Sequence, residues 1–188
     1  MDALAAESFL NANHRIYGLR MRPLSLGHAF ALEALGSPFY FGKLGTEQEL
    51  RLAVWVCAHF PLAVPQASGL RYRLWLRLTR KMDFDRQASR WSVYAADYVA
   101  PPQMWEKTEQ KPVDYKPSRI PSSVASVVRL MRLGMTEKQA WATPVGAASW
   151  YEAAMFEAET GNTLDIVTDS ERLAILRQKA KQKEKANG

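Results

Sequence analysis

The sequence contains a single cysteine, Cys57, among its 188 residues. One thiol cannot form an internal disulfide, and it cannot supply a zinc site built from several cysteines. No apolar run approaches the roughly 20 residues that a membrane-spanning helix needs. Residues 1–7 include acidic side chains where a secretion signal requires positive charge. We therefore expect a soluble protein in a reducing, intracellular compartment.

Recognisable catalytic and cofactor-binding motifs are also lacking. His14, His28 and His59 are isolated in sequence, and none has the His-Glu-x-x-His spacing of a zinc enzyme. There is no Gly-x-Ser-x-Gly elbow, no phosphate-binding glycine loop and no dinucleotide fingerprint. Because the histidines and Cys57 lie in or near apolar segments, we expect structural histidines and an unreactive thiol. We predict a protein that is not an enzyme and has no catalytic residue, no metal ligand and no cofactor.

The chain does contain enough apolar residues for a packed core, at 47% of the total, together with an uneven distribution of charge. Its net charge is +6. Residues 1–70 are neutral overall, whereas residues 71–90 sum to +5, residues 91–171 to −4 and residues 172–188 to +5. Two basic segments around an acidic one suit self-association or an oppositely charged partner as well as nucleic acid.

The prolines divide the chain into regions. Five of the ten fall between Pro101 and Pro121, where they prevent a continuous helix. We predict a proline-rich linker or extended arm at residues 101–121, and a surface loop within one domain is the alternative. An N-terminal helical domain would then occupy residues 1–100, and a C-terminal helical region with a basic tail would occupy residues 122–188. The linker would allow the two regions to move relative to each other.

Helix signals outnumber strand signals, so we predict a mainly α fold, a multi-helix bundle with a C-terminal helical subdomain. Ser25 is expected to cap one helix, and Thr46 with Glu49 forms a capping box before a second, which is apolar on every face after its first turn, as a buried central helix would be. Residues 15–24 are expected to be extended. Residues 70–82 alternate as a strand would, but their leucines and arginines favour a helix, which we choose.

Several further helix boundaries can be predicted from caps and glycines. Asp83 or Asp85 would begin a helix that ends near residue 99, and Asp169 or Ser170 would begin the last one. Ser122 or Ser123 would cap a helix that runs to Leu133 and is closed by Gly134. Thr136 would cap a short helix that ends at Ala142. Thr143, followed by Pro144 at the first helical position, would cap a helix that Gly161 ends.

The helix predicted after Pro144 has two apolar faces. A broad arc contains Trp150, Tyr151 and Met155 among alanines, and a second strip contains Phe156. Glutamates separate the two faces. A helix of this kind must bury both, so we expect one face against its own domain and the other against another element or another chain. A central helix buried within a single domain is the alternative.

Residues 133–161 combine a short helix, Trp141-x-x-Pro144, and an alanine-rich helix that contains Trp150 and Tyr151. This segment resembles the ends of tail assembly chaperones from long-tailed bacteriophages, and residues 22–38 resemble phage structural-module proteins. Members of the chaperone family are small, mainly helical and non-enzymatic, bind the apolar tape-measure protein, recruit tail-tube subunits and are absent from the finished virion. The resemblance implies that the segment packs helices or captures a partner. The predicted partner-binding residues are Trp141, Pro144, Trp150, Tyr151, Met155 and Phe156.

We therefore predict a non-enzymatic phage or prophage tail assembly factor in the bacterial host cytoplasm. It would bind apolar helical segments of a partner such as the tape-measure protein, and it would bind no membrane. A homo-oligomer is also considered, because one alternative is a structural virion component such as a connector or head–tail ring.

A nucleic-acid-binding factor is the other alternative. Its phosphate contacts would come from a basic stripe, and its aromatic residues would stack on bases. A solvated helix face whose aromatic residues belong to the core is the competing interpretation. The basic residues are Arg73, Arg77, Arg80 and Lys81, and the aromatic ones are Tyr72, Trp75 and Trp91.

Overall fold

The computed structural model describes residues 13–43, 45–59, 61, 67–99, 102, 120–161, 163, 164, 166, 167, 171, 174 and 177. These residues are mainly α, as predicted. Most of the predicted linker and the lysines of the basic tail lie outside them. The elements are β1 (Arg15–Ile16), β2 (Leu19–Arg20), α1 (Leu26–Ala34), α2 (Glu47–Ala58), α3 (Leu70–Thr79), α4 (Phe84–Val99), α5 (Ser122–Arg132), α6 (Glu137–Ala142) and α7 (Val145–Thr160).

Most predicted helix starts and ends are confirmed. The hydroxyls of Ser25, Thr46 and Thr136 accept the expected backbone N–H bonds, and the Asp83 carboxylate accepts the N–H of Arg86 at 2.7 Å. The segment with leucine–arginine alternation is the helix α3. Of the predicted last helix, the described residues 171, 174 and 177 are helical and exposed.

Two predicted caps are wrong. Neither Ser122 nor Ser123 caps α5, because Pro121 occupies the N-cap position and the helix begins at Ser122. Thr143 does not cap α7, since it ends α6 and Pro144 stands at the N-cap with an extended backbone. The Thr143 hydroxyl donates instead to the Gln139 carbonyl at 2.9 Å, so it is directed back into α6.

The segment that was expected to be extended forms a short antiparallel hairpin, in which Ile16 pairs with Leu19. Tyr17 and Gly18 form its turn with φ angles of 46° and 78°, both in the left-handed region. Tyr17 is held in this conformation because both its backbone N–H and its backbone carbonyl form hydrogen bonds with side chains of two helices. Its N–H donates to Gln87 Oε1 of α4 at 2.8 Å, and its carbonyl accepts from Trp75 Nε1 of α3 at 3.0 Å.

Helix α2 lies at the centre of the larger hydrophobic cluster, as its apolar sequence predicts. Leu50, Val54 and Cys57 are fully buried there. The hairpin, α3 and α4 supply the aromatic residues around it, which include Trp75 and Tyr94. Within the described residues, no helix has the length and hydropathy to cross a bilayer.

A second, smaller cluster joins α1 to the C-terminal helices. It contains Leu26 of α1 with Val127 and Leu130 of α5, Ala140 of α6 and Ala148 of α7. Helix α4 also contacts α7. Direct packing therefore connects helices on both sides of residues 101–121. The predicted division of the chain into two regions stays a prediction, because most of that segment lies outside the described residues.

Arg51 is a buried charge within α2, with only 6% of its surface exposed. Its guanidinium donates to the hydroxyl of Thr79 and, at 2.9 Å, to the Thr79 carbonyl at the end of α3. It also pairs with Glu47 one turn earlier, at 2.5 Å. The Tyr17 ring lies 4.5 Å away, within range of a cation–π interaction. One side chain thus joins α2, α3 and the hairpin turn.

We predict that Arg51→Met lowers the free energy of unfolding by about 2 to 3 kcal/mol, because charge-assisted bonds to Thr79 and the contact with Tyr17 are lost. Most of this loss should come from those two residues, since the Glu47 carboxylate is 44% exposed and its pair is screened by solvent. Urea unfolding measures it. Arg71→Met, at an exposed position of α3, is the matched control and should change stability by less than about 0.5 kcal/mol. Equal effects of the two variants would contradict the role of Arg51.

Candidate protein-binding site

Cys57 and His14 both occupy positions within or beside the hydrophobic core. Cys57 is fully buried, and burial raises the pKa of its thiol to about 12. A thiol with that pKa has almost no reactive thiolate at neutral pH, which confirms the expected unreactive cysteine. His14 Nε2 lies 2.7 Å from the Asp97 carboxylate, so this histidine connects the start of the hairpin to α4. Among the described residues, no three His, Cys, Asp or Glu side chains form a group that would hold a metal.

His28 is a buried part of the α1 cap, with 1% of its surface exposed. Its Nδ1 accepts the Ser25 N–H at 3.3 Å, so the other ring nitrogen, Nε2, donates to the His59 carbonyl at 2.7 Å. The Pro23 carbonyl also lies 3.2 Å from Nδ1, and the neutral ring with its proton on Nε2 is the form that satisfies the Ser25 N–H and the His59 carbonyl together. Burial is the main cause that lowers the pKa of His28, and the charge of Arg22 lowers it further, while the hydrogen bonds to the His59 and Pro23 carbonyls act in the opposite direction. The histidine therefore holds the start of α1 against the end of α2, as expected of a structural residue.

The basic stripe of the nucleic-acid hypothesis is on the surface, but its aromatic partners are not. Arg73, Arg77, Arg80 and Lys81 are all exposed. Tyr72, Trp75 and Trp91 are at most 8% exposed and belong to the core. They cannot stack on bases, so the aromatic part of that hypothesis is wrong.

An open pocket of about 460 Å³ lies where α5, α6 and α7 meet. Apolar side chains line much of it, and the hydroxyl of Thr143 and the amide of Gln139 supply polar groups. Its volume is within the usual range for a ligand site, and its open side admits a side chain from another molecule. The lining residues are Leu133, Gly134, Met135, Gln139, Thr143, Pro144, Ala147 and Tyr151.

The turn after α5 forms one wall of the pocket. Gly134 has a φ of 89°, and its N–H donates to the Met131 carbonyl at 3.0 Å. The N–H of Met135 donates to the Leu130 carbonyl at 3.3 Å. This pair of bonds is the Schellman arrangement, which ends a helix at a glycine and turns the next residue back over it. It places Leu133 and Met135 beside the pocket.

The opposite wall of the pocket, around Pro144, is held by backbone hydrogen bonds to Leu24 and to Leu26 at the start of α1. The Leu26 N–H donates to the Thr143 carbonyl, and the Val145 N–H donates to the Leu24 carbonyl, each at 2.9 Å. Gly27 permits this approach, because a Cβ there would lie 2.6 Å from Pro61 Cβ and 3.2 Å from the Trp141 carbonyl oxygen. The position of Pro144 at the pocket is therefore determined by backbone contacts with α1.

The six predicted partner-binding residues separate into three groups. Pro144 and Tyr151 line the pocket. Trp141 packs against Phe30 of α1, with ring centroids 5.5 Å apart, and Trp150 and Met155 are half-buried. Phe156 is 47% exposed, outside the pocket. Leu133, Met135 and Ala147 also line the pocket and were not predicted to bind a partner. Gly134 signals the helix-ending turn that places Leu133 and Met135 beside the pocket.

Helix α7 extends the pocket as an apolar strip. Tyr151, Ala154 and Ala158 are exposed, and their spacing of three and four residues puts them on one face with Ala147. We call these three residues the α7 strip. Glu157 and Glu159 lie on either side of it on the helical wheel, and α7 contains no basic residue. Ala147 and Ala153 are buried, one on each predicted face, whereas no residue of α7 after Ala153 is buried.

Comparison of the chain with protein-family models, curated proteins and solved structures finds no match.

The buried neutral His28 predicts a specific dependence of stability on pH. The folded-state pKa is below the ordinary value of about 6.5, so the unfolded chain binds a proton more readily than the folded one below that pH. His28→Gln preserves a Ser-x-x-Gln capping box and does not titrate. We expect the stability advantage of the wild type over this variant to decrease as the pH falls from 7.5 to 5. Urea unfolding of both proteins across this range measures it, and an unchanged difference would contradict the assignment.

Proposed function

We propose that this protein is a non-enzymatic assembly factor that binds an apolar helical segment of a protein partner. The segment would lie along the α7 strip and insert a side chain into the pocket beside Pro144. The main support is the continuity of the pocket with the strip, since together they form one apolar surface on one side of a helix. An amphipathic helix recognises such a surface through side chains spaced three and four residues apart.

The surroundings of the pocket add apolar area. Leu133, which follows α5, and Tyr151 both line the pocket and are 46% and 36% exposed. Covering such residues stabilises a complex by roughly 25 cal/mol for each Å² removed from water, before the entropic cost of association is subtracted. Adjacent exposed residues of this type mark an interaction surface more often than isolated ones do.

We further propose that the partner is the tape-measure protein or another tail protein of a phage or prophage, met in the bacterial cytoplasm during assembly. The support is the resemblance of residues 133–161 to tail assembly chaperones, because this segment contains α6, the Thr143–Pro144 turn and α7. A protein that shields an apolar helix before assembly needs an accessible apolar surface and no catalytic group.

The proposal predicts that Ala154→Arg weakens binding to a tape-measure fragment from the same phage genome at least tenfold. Arginine at this position puts a long charged side chain on the α7 strip and preserves the helix. Binding is measured by fluorescence anisotropy with a labelled helical peptide from the fragment. Ala96→Arg, at an exposed position of α4, is the matched control and should bind as the wild type does.

Two outcomes would contradict the proposal. Equal affinity for the Ala154→Arg and Ala96→Arg proteins would exclude the α7 strip as the binding surface. Absence of binding by the wild-type protein would exclude this type of partner. Binding to a DNA duplex that falls steeply with salt and is lost in Arg73→Glu/Arg77→Glu would favour the nucleic-acid alternative instead.

A further inference from the structure

Helix α3 has an exposed row of leucines. Leu70, Leu74 and Leu78 are 83%, 55% and 75% exposed, and their spacing of four residues aligns them along the helix. The buried side of α3 is formed by Tyr72, Trp75 and Thr79 instead. We call the three exposed leucines the α3 ridge. Three aligned leucines in water on one short helix form a contiguous apolar patch, which is typical of an interaction surface.

Positive charge surrounds the α3 ridge. Arg73 and Arg77 lie on one side of it on the helical wheel and Arg71 on the other, and α3 contains no acidic residue. Among the residues that the structure describes, none of these three arginines forms an ion pair. The surface that would complement this ridge is therefore a shallow apolar groove with acidic residues on its edges.

The α7 strip has those properties. Beyond Tyr151 the strip consists of Ala154 and Ala158, whose short side chains allow a facing helix to approach closely. Glu157 and Glu159 lie on its two sides. Glu159 is exposed and has no ion-pair partner among the described residues, whereas Glu157 Oε1 accepts the Leu164 N–H at 2.6 Å.

We infer that the α3 ridge of one molecule docks on the α7 strip of a second copy of this chain, an inference that rests on the α7 strip being the helix-binding surface proposed above. A row of side chains spaced by four residues fits the groove between rows of a facing helix, and leucine against alanine allows close packing. The arginines beside the ridge then face the glutamates beside the strip. Each surface complements the other rather than itself.

A contact between two different surfaces leaves one of each free at the ends, so it continues head to tail into a ring or an open chain. In the free protein, the ridge of a neighbour would cover the apolar strip until a partner helix displaces it. Self-association and partner binding would therefore compete for the same residues of α7.

Light scattering at increasing protein concentration and low salt tests the inference. The wild type should increase in mean mass with concentration and return toward monomer as salt is added. Arg73→Glu/Arg77→Glu and Glu157→Lys/Glu159→Lys should each lower the apparent association constant at least tenfold. Arg86→Glu/Arg90→Glu, which changes two exposed arginines of α4 with the same spacing, is the matched control and should associate as the wild type does.

Mixing the two charge-reversed proteins gives the most specific outcome. The acidic ridge of the first variant then complements the basic strip of the second, and the unchanged basic ridge of the second complements the unchanged acidic strip of the first. Each variant alone should therefore stay monomeric, whereas the equimolar mixture should form assemblies in which the two variants alternate. A chain with all four reversals should associate again. A wild type that stays monomeric at all concentrations, a control that is equally impaired, or a mixture without complexes would overturn the inference.

The same variants separate this inference from the proposed function. Arg73→Glu/Arg77→Glu leaves α7 unchanged, so it should bind the tape-measure peptide at least as tightly as the wild type. Self-association without peptide binding would support the inference and reject the proposed partner. Binding of a monomeric wild type to anionic phospholipid vesicles, lost in Arg73→Glu/Arg77→Glu, would assign the α3 ridge to a membrane surface and overturn the inference.

Discussion

Residues 24–28 connect the two hydrophobic clusters, and the rest of the arrangement depends on them. The carbonyl of Leu24 and the N–H of Leu26 bond to the backbone around Pro144, while Ser25 caps α1. Gly27 leaves space for the Trp141 carbonyl, and His28 reaches the end of α2. Five consecutive residues thus position α6 and α7 relative to the central helix α2. Because buried backbone groups must be paired, this segment allows little freedom in where the pocket lies.

The two exposed apolar surfaces differ in shape as well as in charge. The α3 ridge consists of large side chains among arginines, whereas the α7 strip consists mainly of alanines between glutamates. The net charge of +6 therefore understates the local electrostatics at these two surfaces, since the arginines of α3 and the glutamates of α7 lie on different helices. Complementary charges of this kind raise association rates and discriminate among partners more than they raise affinity.

Local signals were sufficient to predict most of the helices. Capping boxes at Thr46 and Thr136 and the glycine after Leu133 act within a few residues, so a single sequence reveals them. The prediction of a helix at residues 70–82 was correct because the helix propensity of leucine and arginine outweighed the strand-like alternation of apolar and basic residues. The cap at Thr143 was wrong because the carbonyl of that residue bonds to Leu26, a contact between segments that are far apart in sequence.

Non-local contacts explain what could not be predicted at the site. The buried charge of Arg51 depends on Thr79 and Tyr17, which lie on other elements. The pocket depends on how α5, α6 and α7 meet, so only Pro144 and Tyr151 of the six predicted residues line it. A helical wheel showed that α7 has two apolar faces, but it could not show that burial stops halfway along the helix.

The bond between Leu26 and Thr143 has a consequence for synthesis on the ribosome. More than a hundred residues separate these two, so α1 leaves the ribosome well before its C-terminal neighbours are translated. At translation rates of about 5 to 20 residues per second, the delay is roughly 6 to 23 seconds. During that interval the Leu26 side chain has no α5, α6 or α7 to pack against, so its apolar surface stays in water. The nascent chain is therefore most exposed to aggregation and to cellular chaperones before α7 emerges.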